Sequence, residues 1–115
     1  MSKNSPVRLI SYAYPSEKFS AARRRLMLPH REGEDMAIAD AFHECSLGLR
    51  DICREDLDET AEPWFDSLQE FMSTTGLQDP SKIGLWRIKA QSLTLDQRFA
   101  VARIIDELAE WFKSR

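Results

Sequence analysis

The sequence predicts a small all-α protein, an antiparallel bundle of about four to five helices led by a short extended N-terminal arm. Three observations predict it. Apolar residues recur at alternating spacings of three and four along three segments, which gathers them on one helix face. Prolines, glycines and capping residues punctuate those segments where helices would start and stop. Finally, 115 residues that are 43% hydrophobic and 30% charged supply one core and are too apolar for a disordered chain. Two independent cores at this length would each be marginal, so a single domain is expected. Within it, residues 1–31 read as a basic arm and short helix, packed on or swapped from an acidic bundle over 32–115.

Residues 6–14, Pro-Val-Arg-Leu-Ile-Ser-Tyr-Ala-Tyr, are rich in β-branched and aromatic types and read as a short strand ending at Pro15. A lone strand leaves its N–H and C=O groups unpaired, so it must pair with another chain, lie against the bundle or stay mobile. Ser16 is the expected cap of a helix from Glu17 to about Leu28, with Phe19, Ala22 and Leu26 on one stripe and Arg23, Arg24 and Arg25 around the other side. Pro29 stops it. Glu34 and Asp35 suit the start of a long helix striped by Ile38, Phe42, Cys45, Leu49 and Ile52. Gly48 inside that helix either admits a close neighbour or marks a bend. Cys45 and Cys53 would share its face, too far apart to bridge, as reduced core thiols.

Further along, Thr60 is the expected N-cap of a helix with Pro63 in its first turn, striped by Ala61, Trp64, Leu68 and Phe71 and stopping at Gly76. Asp79-Pro80 reads as the start of a short helix carrying Ile83, Leu85, Trp86 and Ile88. Thr94 and Gln97 form a capping box for the last helix. Its stripe is Leu95, Phe99, Ala102, Ile105, Leu108 and Phe112, widened by Val101, Ile104 and Trp111. Trp64, Trp86 and Trp111 read as core anchors, and Met27, Met36 and Met72 as gap fillers.

Net charge is −3, but it is unevenly spread. Residues 1–31 hold seven basic side chains against Glu17 alone, a net of +6, and the remaining nine basic and eighteen acidic side chains leave −9 on the rest. The candidate partner-binding residues are therefore Arg8, Lys18, Arg23, Arg24, Arg25 and Arg31. Three outcomes compete for them: pairing with the acidic body, an acidic protein partner, and nucleic acid. The first reading of function is a non-enzymatic protein–protein interaction or regulatory module that self-associates as a homodimer through this basic head.

The alternative is a DNA-binding regulator. A basic strand followed by two helices resembles the order of a ribbon-helix-helix dimer, which implies paired strands in the major groove, with Arg8 as the one basic residue placed to read bases. The resemblance covers residues 6 to about 52, and Pro29 and a long second helix depart from it. A third class, a small metal- or ligand-dependent enzyme, would use the cluster Asp40, His43, Glu44 and Cys45. Nothing completes that site: a di-metal bundle needs Glu-x-x-His on two helices, and there is no Gly-x-Ser-x-Gly and no phosphate loop. No catalytic residue, metal or cofactor is expected. No apolar run reaches the roughly 20 residues of a bilayer span, and the first residues lack a signal peptide's apolar core, so a cytoplasmic protein without membrane contact is expected.

Overall fold

The computed structural model describes residues 11–115, which form five α-helices. They are α1 (Ala13–Arg25), α2 (Glu34–Leu49), α3 (Glu62–Met72), α4 (Leu85–Ser92) and α5 (Leu95–Lys113), with one 3-10 turn at Arg54–Asp56 between α2 and α3. The all-helical bundle read from the sequence is present. The expected strand falls mostly outside the described residues, and where the two overlap it gives way to helix at Ala13 and Tyr14. Pro15 does not end a strand; it is buried in the first turn of α1, where a missing N–H costs no hydrogen bond. Tyr12 just ahead of the helix is pinned by its hydroxyl, which donates to the Asp56 carbonyl at 2.8 Å, and by its ring against Trp111 and Phe112.

α1 packs against both α2 and α5, and it runs antiparallel to each. Along α5, Tyr12 meets Trp111, Phe19 meets Phe112 at 5.1 Å between ring centres, and Arg23 meets Asp106. Along α2, Phe19 lies at Gly48, while Lys18 and Arg25 reach Glu44. The choice left open for Gly48 is settled by what surrounds it. A Cβ there would stand 3.0 Å from Lys18 Cβ and 3.2 Å from Phe19 Cδ2, so the glycine is where α1 crosses close to α2. The core joins Phe19, Ala22, Ile38, Phe42, Cys45, Leu68, Val101, Ile105, Leu108 and Phe112, all at most 2% exposed, from α1, α2, α3 and α5.

The helix ends differ from expectation for local reasons. α2 stops at Leu49, so Ile52 packs on the core from the connection and Cys53 is exposed rather than a core thiol. Cys45 is the buried one, and desolvation there pushes its thiol pKa up. Asp58 rather than Thr60 supplies the oxygen ahead of α3: its Oδ1 accepts from the Thr60 and Ala61 amides at 3.0 Å each. The same carboxylate takes the Trp111 Nε1–H at 3.1 Å and Arg115 at 2.9 Å, tying the start of α3 to the end of α5. Hydrogen bonding from Ala61, then from Trp111, with the Arg115 charge, holds the Asp58 carboxyl below its usual range. Asp79-Pro80 makes a turn instead of a helix start. Asp79 accepts from the Ile83 and Gly84 amides at 2.8 Å, which delays α4 to Leu85. The capping box at Thr94 and Gln97 is formed as expected.

Asp35 joins α2 to α4. It accepts from Arg87 Nε and Gln91 Nε2, both at 2.9 Å, and from the Met36 amide at 2.9 Å. The Arg87 hydrogen bond, then that of Gln91, brings its carboxyl from the ordinary 3.8 to about 2. A carboxyl held low in the fold contributes stability above its unfolded value, and that stability is lost as pH falls through the window from 3.8 to about 2. With the side chain one-fifth exposed (21%), the contribution is about 1 kcal/mol once solvent screening is counted. Asp35→Asn is expected to remove this increment at neutral pH. It should also flatten the acid limb of a urea-denaturation series between pH 5 and pH 2, about the range set by those two values. An unchanged acid limb would mean that Asp35 carries no linkage.

Candidate functional site

Successive residues of a helix turn about 100°, so Arg23, Arg24 and Arg25 cannot face one way. In the last turn of α1 their charges complement the helix dipole, and the packing of α1 between two partners decides the rest. Arg23 turns to α5, 3.0 Å from Asp106 and 3.8 Å from Glu110. Arg25 turns to α2 and reaches Glu44 at 3.5 Å, with Lys18 on the same carboxylate at 3.7 Å. Among the described residues Glu44 is the charged residue of the core, only 9% exposed, and the two cations are what make its burial tolerable. Lys18, Arg23 and Arg25 are thus engaged inside the fold. Arg24 and Arg31 are exposed and have no ion pair among the described residues, whereas Arg8 lies outside those residues.

Arg24 and Arg31 line one cleft of about 320 Å³ between the end of α1 and the start of α2. Arg25, Met27, Met36 and Ala37 contribute to the same wall, and Glu32 and Asp40 bring two carboxylates to set against the three guanidiniums. The loop that shapes it is held at two points. His30 Nε2 is 2.9 Å from the Leu26 carbonyl, to which it donates as the Nε2–H tautomer. Gly33 turns the chain into α2 at φ +98°, where a side chain would be strained and a Cβ would meet Asp35 Oδ1 at 2.9 Å.

The other sequence candidates separate. Of the polar cluster on α2, Cys45 points into the core, Glu44 faces the cations of α1, and His43 lies beside the Trp86 ring at 6.4 Å. Among the described residues no group of three His, Cys, Asp or Glu side chains is placed to hold a metal ion. No helix among them is long and apolar enough to cross a membrane. Trp111 is a buried anchor, whereas Trp64 and Trp86 lie half-buried over the core. Met27, expected as a gap filler, is 64% exposed.

The outward face of α5 is the candidate functional surface that the expected stripe hid. Leu95 and Phe99, assigned to the buried stripe of the last helix, are 61% and 64% exposed, and Ala102 is exposed with them. The buried face of α5 is instead Val101, Ile104, Ile105, Leu108, Ala109, Trp111 and Phe112. Nine residues at about 100° each put Phe99 half a turn away from Leu108, so α5 carries two apolar faces. The signal was the breadth of the apolar set, which spans more than one core-facing stripe.

Comparison with protein-family models, with curated proteins and with solved structures finds no match.

Proposed function

We propose that this chain is a non-enzymatic interaction module that holds an acidic segment of a protein partner against the cleft after α1. The observation that carries this reading is the contrast within the basic head. Its inner cations are neutralised by Glu44, Asp106 and Glu110, while Arg24 and Arg31, which have no ion pair among the described residues, stand beside Met27 and Met36. Guanidiniums bind carboxylates in a bidentate manner, and thioether side chains adapt to varied apolar neighbours. A partner segment mixing Asp or Glu with apolar residues suits both. Two free cysteines fit a reducing cytoplasm as the place where that partner is met.

The test is fluorescence anisotropy with three labelled probes: a peptide alternating glutamate and leucine, its lysine counterpart, and duplex DNA. The acidic peptide is expected to bind selectively, and Arg24→Glu with Arg31→Glu is expected to weaken it about a hundredfold by reversing two charges at the contact. Indifference to both substitutions would sink the reading. Steeply salt-dependent binding of the duplex, lost in the same variant, would replace it with the DNA-binding alternative.

A further inference from the structure

We infer that the outer face of α5 pairs with the outer face of α5 in a second copy of this chain, antiparallel across a two-fold axis close to Phe99. The proposal is independent of the acidic-segment cleft and uses different residues.

Four of the large hydrophobic side chains of the described residues are more than 60% exposed: Leu28 at 82%, Met27 and Phe99 at 64%, and Leu95 at 61%. They gather at one end of the bundle. The last turn of α1 sets Arg23 beside Asp106, and α2 begins with Glu34 bonded to Arg98, so the loop joining them, with Met27 and Leu28, runs alongside α5 between those two anchors. Exposed apolar residues scattered singly need no explanation, but a stripe at i, i+4 and i+7 on one helix does. Leu95, Phe99 and Ala102 form such a stripe.

The charges around Phe99 identify the occupant as the chain itself. Asp96 and Arg103 are both exposed, and neither has an ion pair among the described residues. They lie three residues before and four residues after Phe99, seven apart, and therefore on the same flank of the stripe. When two helices face each other across a two-fold axis perpendicular to both, each flank meets the same flank of the partner in reversed order. Asp96 of one copy then stands opposite Arg103 of the other, and the pair occurs twice. On the opposite flank Leu95 meets Ala102, a large residue against a small one, also twice, with the two Phe99 rings at the centre. Asp96, Phe99 and Arg103 thus complement themselves only in the antiparallel arrangement. A parallel pairing would set the Asp96 and Arg103 flank of each copy against the Leu95 and Ala102 flank of the other, which leaves both charges without a partner.

One helix face per copy lies at the small end of specific interfaces, so the dimer is expected to depend on concentration. Sedimentation velocity of the full chain from micromolar to millimolar concentration is expected to rise from the mass of one 13.3 kDa chain to that of two. Phe99→Asp is expected to weaken self-association about thirtyfold or more, as removal of a central aromatic does. Because Phe99 faces solvent in the single copy, that variant should keep its fold by circular dichroism, and it should bind the acidic peptide like the parent. Asp96→Arg and Arg103→Asp should each give monomer by like-charge repulsion. Mixing those two variants should restore a dimer, and so should the double exchange D96R/R103D within one chain. A parent that stays monomeric over the whole range overturns the proposal, as does dimerisation that Phe99→Asp leaves unchanged. Failure of the mixed charge variants to associate overturns the antiparallel geometry.

Discussion

Phe19→Ala is expected to lower the stability of this protein by about 4 kcal/mol, the usual cost of removing a fully buried phenyl ring and leaving a cavity that its neighbours fill incompletely. Phe19 is wholly buried where α1, α2 and α5 meet, tilted against Phe112 at 5.1 Å and lying over Gly48. Small domains are stable by only about 5–15 kcal/mol, so this one truncation removes a large share of the margin. Urea denaturation would measure it, with Phe99→Ala as the matched control at dilute concentration. The same chemical change at a 64% exposed ring is expected to cost under about 1 kcal/mol. Equal costs at the two positions would show that α1 is not part of the cooperative core.

Gly48→Val should be the second severe substitution, for the opposite reason. An alanine Cβ already falls 3.0 Å from Lys18 Cβ, an atom fixed to the backbone of α1, so the neighbour cannot swing away. For alanine the helix-propensity gain of about 1 kcal/mol offsets part of that crowding. Valine adds two methyl groups in the same space and has only a restricted rotamer choice in a helix. Pushing α1 off α2 also separates Lys18 from the buried Glu44 carboxylate. A loss of about 2–3 kcal/mol follows, which lowers Tm by on the order of 10 °C in a chain of this size. A valine variant as stable as the parent would mean that Gly48 marks a bend and not a close crossing.

Much of the fold was legible because its signals are local. The Thr94–Gln97 capping box, the α2 stripe of Ile38, Phe42, Cys45 and Leu49, and the stop after α1 depend only on residues within a turn or two of one another. Misread boundaries arose where one side chain can serve two structures. Pro15 breaks a helix interior yet suits a first turn, and Asp79 caps a turn as readily as a helix. The candidate site was legible as a charge asymmetry and no further. Which of Lys18, Arg23, Arg24, Arg25 and Arg31 are engaged depends on Glu44, Asp106 and Glu110, which lie 19 to 87 positions from the cations they hold and which no local rule brings near.

By itself the sequence determined the helical class, the approximate number and order of helices, and the separation of a basic head from an acidic remainder. Periodicity and capping are properties of neighbouring residues, and charge is a property of composition. Only the tertiary structure decided which apolar stripe of α5 is core and which faces outward, why Gly48 is a glycine, and which arginines keep free charge. Each of these is set by what packs on the far side of a helix, and a helix with two apolar faces does not specify from its own residues which one its neighbours will cover.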